Sequence, residues 1–393
     1  MTDEVKVNFE KGIVNEGNDS RIVKCMRRAL AGESIRLAFL GGSITQGSLS
    51  STPERCYAYR TYEWWKDNFP KADITYINAG IGGTTSHLGV GRVQEEVLSR
   101  RPDFVIVEFS VNDADRDPHF RETYESLVRR ILAAEGKPAL LLVHNVRYDD
   151  GGNAEPIHRP VGAHYNLPSV AMKPVIYAMV EEGVLDRRDV TPDDLHPNDL
   201  GHELVAGVIT GYLQKVKDKT EKTVPAGLTD GNNGEDVFER NEEDDFLPLK
   251  PPLTANAYER ATRLRNDALT PVSQEGFEPD ETPQSCVADC FKKGWTAWKK
   301  GERIVFEVEG ACLAVQYRKT VRRPAPVATL ILDGDREHPV TLDANFQEEW
   351  GDCLYLETIL EHGHPGKHTV EIEITQAGPE DRECFYLVSL ITA

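Results

Sequence analysis

Ser43, Asn112, Asp193 and His196 are residue types that together perform acyl transfer, and each stands just beyond a stretch that reads as a strand or just before a helix. A serine hydroxyl is a weak nucleophile until a neighbouring imidazole takes its proton, and that imidazole must be oriented through its other nitrogen. Asp193, three residues before His196 on the same turn, can supply that orientation locally. The oxyanion formed on attack needs preorganised donors, for which the N–H groups of Ser43 and Gly83 and the side-chain amide of Asn112 are the candidates. A Gly-Gly-Ser turn alone is most simply a strand-to-helix connection with serine as its cap. Four such loops in one chain point instead to chemistry.

The elements that must position these residues alternate between strand and helix. Short apolar runs at 35–40, 74–77, 103–109, 138–143 and 167–172 predict buried strands of a parallel sheet. Helical spacing at 20–31, 57–68, 89–99, 120–134, 175–182 and from Asp199 through Val216 fills the intervals. Residues 57–68 are aromatic-rich, and their rings are expected in the core. Ser43 follows Gly41-Gly42, whose missing side chains permit close approach, and three glycines between Gly80 and Gly83 say the same of the second loop. Residues 147–163, polar with glycine and proline, read as a long functional loop. A small strand is expected at 5–9. The expected architecture is a doubly wound three-layer α/β/α sheet over 1–218, flavodoxin-like, with five mostly parallel strands.

Beyond it the pattern changes. Residues 219–285 are expected to form a linker or surface strap, including the acidic run 235–245, with helical potential at 253–269. From 286 to 393 the apolar residues alternate with period two, as at 304–310, 313–317, 327–332 and 368–374, which predicts a C-terminal β-sandwich of jelly-roll type. No solenoid period recurs.

The residues at the strand ends resemble those of the SGNH (GDSL-type) hydrolase superfamily over about residues 33–215. Gly41-Gly42-Ser43-Ile44 stands at the nucleophile block, Gly80 to Thr84 at the second block, Ser110-Val111-Asn112-Asp113 at the third, and Asp193-Asp194-Leu195-His196-Pro197 matches D-x-x-H-P. The resemblance implies a serine esterase with Ser43, Asp193 and His196 as catalytic residues and Ser43, Gly83 and Asn112 as the oxyanion hole. Gly82 remains an alternative to Gly83, and Asp194 to Asp193. Two positions depart from the most familiar members: Gly42 replaces Asp, as in a G-G-S-I-T branch that resembles carbohydrate acetylesterases, and Ser110 replaces Gly beside the oxyanion site. His202 is expected to pack or hydrogen bond rather than act as a second base. The resemblance implies no cofactor and no metal; His87, His144, His158 and His164 lack metal-ligand spacing.

Composition narrows the setting. The 393 residues carry 45 basic and 65 acidic side chains, a net charge of −20 that disfavours nucleic acid and anionic membrane as partners. Seven cysteines without ligand or disulfide spacing fit a reducing cytoplasm, and neither a signal-peptide pattern nor a membrane-length apolar run occurs. The resemblance implies an acetylated sugar or oligosaccharide as substrate, such as acetylated xylo-oligosaccharides, with Trp295, Trp298 and Trp350 as candidate stacking platforms against their simpler role as core. A short-chain lipid or general acyl esterase and a non-catalytic glycan-binding protein remain open alternatives. The sandwich also offers a surface for assembly into a dimer or larger homo-oligomer.

Overall fold

The apolar runs become six strands, β1 (Ile13–Asn15), β2 (Ile35–Gly41), β3 (Ile74–Gly80), β4 (Phe104–Glu108), β5 (Ala139–His144) and β6 (Ser169–Ala171). Every residue of β4, β5 and β6 is buried, as strands covered on both faces must be. In this computed structural model, which describes residues 7–223 and 249–393, their order is β1-β6-β5-β4-β2-β3. The five expected strands are parallel, and β1 adds an antiparallel edge against β6. That edge lies downstream of the strand expected at 5–9: residues 5 and 6 lie outside the described residues, and Phe9–Gly12 is a 3-10 turn.

The helices are α1 (Ser20–Leu30), α2 (Ser43–Gln46), α3 (Tyr57–Asn68), α4 (Ser86–Glu96), α5 (Pro118–Ala133), α6 (Glu155–His164), α7 (Ala178–Glu181), α8 (Arg187–Val190) and α9 (Asp199–Thr223). Helices α1, α3 and α9 share one core with alternate residues of the sheet, among them Leu37, Phe39, Phe104, Ile106, Leu141 and Val143. Trp65 is wholly buried there between Phe69 and Phe104, with ring centroids 5.0 and 5.9 Å away. Helix α9 buries Leu204, Val205, Val208, Ile209, Leu213 and Val216 at the expected spacing, whereas Leu200, in its first turn, is exposed. No described helix is long and apolar enough to cross a membrane.

Three expectations are corrected. The stretch 147–163 is not a structureless loop, because α6 occupies its second half: Pro156 presets the first turn, and Pro160 is accommodated inside the helix. The segment expected to be a linker from 219 begins as the end of α9, which runs to Thr223; the acidic run 235–245 lies outside the described residues. Residues 253–269 form no α-helix but a 3-10 turn, Ala257–Arg260, and strand β7 (Thr262–Leu264).

Internal contacts divide the chain into 1–81 with 93–256, and 82–92 with 257–393, so the second unit begins upstream of the expected residue 286. It contains β7, β8 (Ser273–Glu275), β9 (Glu278–Pro279), β10 (Trp295–Ala297), β11 (Arg303–Gly310), β12 (Leu313–Lys319), β13 (Val327–Leu332), β14 (Val340–Asp343), β15 (Cys353–Leu360), β16 (Gly366–Gln376) and β17 (Phe385–Thr392). One antiparallel sheet runs β15-β12-β17-β10-β9 with β7 on β17, the other β14-β13-β16-β11-β8. Their inner faces share a single core: Trp295, Val315, Tyr317 and Leu387 from one sheet meet Phe306, Leu330, Ile372 and Ile374 from the other. The period-two pattern thus makes a two-sheet sandwich.

Glu108, the last residue of β4, is fully buried. Burial pushes its carboxyl up from the usual 4.5 to about 7, against the lowering effect of bonds from the Ser110 hydroxyl and N–H. Its native pKa exceeds its unfolded one, so the native state holds a proton that the unfolded chain has lost between those values. Stability from this group is therefore fully present below about pH 4.5 and declines as pH rises to about 7, by ~3 kcal/mol. Glu108→Gln, which retains the acceptor for Ser110, is expected to gain on the wild type by a few degrees in melting temperature between about pH 5 and pH 8. A difference in melting temperature that does not change with pH would contradict this assignment.

Candidate active site

Strand β2 delivers Ser43, the candidate nucleophile. Its last residue, Gly41, pairs with Gly80 of β3 on one side and Glu108 of β4 on the other, so three strand ends converge. A side chain at Gly41 would stand 2.5 Å from the Glu108 carbonyl oxygen and 2.2 Å from Thr45 Oγ1; one at Gly80 would stand 2.2 Å from the Gln46 backbone nitrogen. Only glycine allows α2 to start so close to both strands. The chain turns at Gly42, Ser43 opens α2, and Gly47, at φ +102°, ends it. Thr45 Oγ1 and Tyr57 Oη share a buried bond of 2.7 Å that ties α2 to α3. Ser43 is 7% exposed.

The imidazole arrives from the loop before α9. His196 Nε2 lies 2.8 Å from Ser43 Oγ, and His196 Nδ1 lies 2.6 Å from Asp193 Oδ2. The other carboxylate oxygen of Asp193 accepts the N–H groups of Leu195 (3.1 Å) and His196 (2.7 Å), so the short turn builds itself around one side chain. Burial raises the Asp193 carboxyl, but the bonds from the His196 ring and backbone outweigh it and hold the group below the usual carboxylate value. Asp193 thus stays ionised and accepts the Nδ1 proton, leaving Nε2 as the acceptor facing serine. Asn198 caps α9 by accepting the Gly201 N–H at 3.0 Å.

Asp194, the alternative orienting acid, is engaged elsewhere. Its carboxylate meets Arg187 Nε at 3.0 Å and Arg188 Nη1 at 2.9 Å, and its backbone sits at φ +69° with its carbonyl accepting the Tyr148 N–H. This clamp ties the loop to α8. The two arginines were not singled out by sequence reasoning, since a surface Arg-Arg pair carries no signal of its own. His202, expected to pack or hydrogen bond, does so: the Tyr57 N–H donates to Nδ1 at 3.3 Å and Nε2 donates to the Ser48 carbonyl at 3.2 Å. Burial lowers its pKa to about 4, so it stays neutral and in that tautomer near neutrality.

Of the remaining candidates, Asn112 sits in the turn that follows β4, where its own N–H and that of Asp113 both bond to the Phe109 carbonyl. Its buried Oδ1 has no hydrogen-bond partner among the described residues. Gly83 comes three residues after Gly80 and is at φ +69°, a conformation that selects glycine there; it belongs to the second contact unit, where a Cβ would lie 3.3 Å from Trp350 Cη2. Ser110, the departure noted beside Asn112, is wholly buried and turned away: its hydroxyl lies 2.8 Å from Glu108 Oε1 and 3.1 Å from the Asn145 carbonyl oxygen. Trp295 is core, while Trp298 and Trp350 are about half exposed. Among the described residues no group of three or more His, Cys, Asp and Glu side chains is arranged to hold a metal ion.

Residues 39–204 match the GDSL-like Lipase/Acylhydrolase family. The chain is 26% identical over 196 residues to Thioesterase 1/protease 1/lysophospholipase L1 of Escherichia coli strain K12, covering 48% of this chain and 86% of that protein. It is 27% identical over 148 residues to an acetylxylan esterase of Geobacillus stearothermophilus, covering 33% and 67%. The whole chain is matched by a solved two-domain esterase active on acetylated mannans, crystallised alone and with mannopentaose: 53% and 52% identity, 98% of each chain covered, TM-score 0.90. With a relative this similar across both units, and with the serine, imidazole and carboxylate in bonding order, the chain belongs to the GDSL-like lipase/acylhydrolase family and is a carboxylic ester hydrolase.

Proposed function

We propose that this protein is a serine esterase that removes acetyl groups from oligosaccharides of the mannan or xylan type through an acyl-enzyme. The observation that carries the reading is the continuous path from Ser43 Oγ through His196 to Asp193, with bonds of 2.8 and 2.6 Å. Ser43 Oγ attacks the ester carbonyl while its proton passes to His196 Nε2, and the imidazolium is stabilised by Asp193. The N–H groups of Ser43 and Gly83 and the amide of Asn112 receive the oxyanion. As the tetrahedral intermediate collapses, the sugar oxygen leaves with the proton held on Nε2, and acetyl remains on Ser43. A water molecule, deprotonated by His196, then releases acetate.

The sugar as leaving group is supported by the similarity of the whole chain, sandwich included, to an esterase active on acetylated mannans. Acetylated manno-oligosaccharides are accordingly the first substrates of choice, with xylo-oligosaccharides second. The similarity to a lysophospholipase and thioesterase favours a second reading, a general acyl esterase. A cytoplasmic setting is part of the proposal, supported by seven cysteines, five of them buried.

Ser43→Ala is expected to lower kcat on 4-nitrophenyl acetate by at least about 10³-fold, and Asp193→Ala by roughly 10²-fold or more, with the fold intact by circular dichroism. Full activity in Ser43→Ala would sink the reading. On 4-nitrophenyl esters of increasing length, rates are expected to collapse beyond butyrate; flat or rising rates would favour the general acyl esterase. Trp350→Ala is expected to raise KM for acetylated manno-oligosaccharides by about threefold to tenfold and to leave KM for 4-nitrophenyl acetate unchanged. Equal effects on both substrates would remove Trp350 as a sugar contact.

A further inference from the structure

The carboxyl ends of β4 and β5 bury a group of polar side chains that acyl transfer does not use. Asp113 and His158 form its centre: both side chains are fully buried, with His158 Nε2 2.9 Å from Asp113 Oδ2. The His158 ring lies flat against the Tyr124 ring, centroids 3.6 Å apart and planes 7° from parallel, so packing between α5 and α6 fixes its orientation. His158 Nδ1 has no hydrogen-bond partner among the described residues. The polar work of this imidazole is therefore directed at Asp113.

A buried pair of this kind is a poor source of net stability, since well-packed apolar side chains of the same volume would serve as well. What it does accomplish is constraint. Asp113 is the residue after Asn112, and the turn 110–113 is held at its other end by Ser110, whose N–H and hydroxyl lie 2.9 and 2.8 Å from Glu108 Oε1. The Ser110 carbonyl accepts the Ala154 N–H at 2.6 Å, just ahead of the helix that carries His158. Asn112 is thus suspended between two buried anchors, one on β4 and one on α6. An oxyanion donor must be held to within a fraction of an ångström to act in the transition state, and a four-residue turn cannot do that unaided.

We propose that His158, acting through Asp113, is a positioning residue for the oxyanion donor Asn112, a role that rests on the esterase reading above. The pair makes no contact with the substrate. Its effect reaches the reaction only through the direction in which the Asn112 amide points.

The test is a double-mutant cycle on the full-length chain with 4-nitrophenyl acetate as substrate. Asn112→Ala is expected to lower kcat by roughly 10²-fold to 10³-fold. His158→Phe, which keeps the ring stack, is expected to lower kcat by at least about tenfold with KM changed less than about twofold, the mark of an interaction used only in the transition state. Placed in the Asn112→Ala background, the same substitution is expected to cost less than about twofold more, because the group it positions is gone. Because His158→Phe removes a hydrogen-bond partner of a buried carboxylate, the cycle is run in parallel with Asp113→Asn, which is isosteric. Equal losses in both backgrounds, or unchanged kcat in the folded single variants, would overturn the positioning role while leaving the esterase reading intact. Unchanged kcat in Asn112→Ala would overturn the oxyanion assignment itself, and this inference with it.

Discussion

The proposed chemistry hangs on one hydrogen bond between residues 153 positions apart, Ser43 Oγ and His196 Nε2. Neither residue's neighbours in sequence can bring it about. It exists because β2 is sandwiched between β3 and β4 in parallel register, which fixes where Ser43 leaves the sheet, and because α9 packs on the same layer as α1 and α3, which fixes where His196 enters. The two glycines at the strand ends are the local condition. With a side chain at either Gly41 or Gly80, α2 would be pushed off the strands and the hydroxyl carried away from the imidazole.

The neighbourhood of that bond is unusually rich in buried polar groups. Apolar residues at the same positions would cost less to bury, and Glu108, whose carboxyl is pushed up to about 7, shows the penalty directly. The common product of these groups is a set of rigid turns. Glu108 holds Ser110, His158 holds Asp113 and His202 holds Ser48, and at the surface Arg187 and Arg188 hold Asp194. Each anchored residue lies within a few positions of one assigned to the reaction. Catalysis by preorganised dipoles requires turns that do not relax toward solvent, and buried hydrogen bonds of defined direction provide that where non-directional apolar packing does not.

The sheet was legible because strands covered on both faces leave continuous apolar runs, as in 104–108 and 139–144, which no surface helix shows. The hydrogen-bonded path Ser43–His196–Asp193 was legible because its members occupy loops with little else to say, and because Asp193 and His196 are close enough in sequence to bond within one turn. What escaped is equally physical. Helix α6 hides behind two prolines and flanking glycines, although Pro156 at a first turn favours a helix, and with it the role of His158 was lost. Strand β1 has only three half-buried residues and owes its form to β6. Residues 253–269 carry helical spacing, yet strand pairing of 262–264 with β17 prevails, a tertiary contact that no local pattern announces. Period two in the tail gave the strands but not their allotment to two sheets, since sheet partners lie far apart in the chain.

The measurement that bears most directly on the whole account is identification of the acyl-enzyme. Protein mixed with an acetyl ester and quenched in acid within the first turnovers, then digested and analysed by mass spectrometry, is expected to carry acetyl on Ser43. Acetyl on another residue, or steady turnover with Ser43 never acylated, would contradict the account.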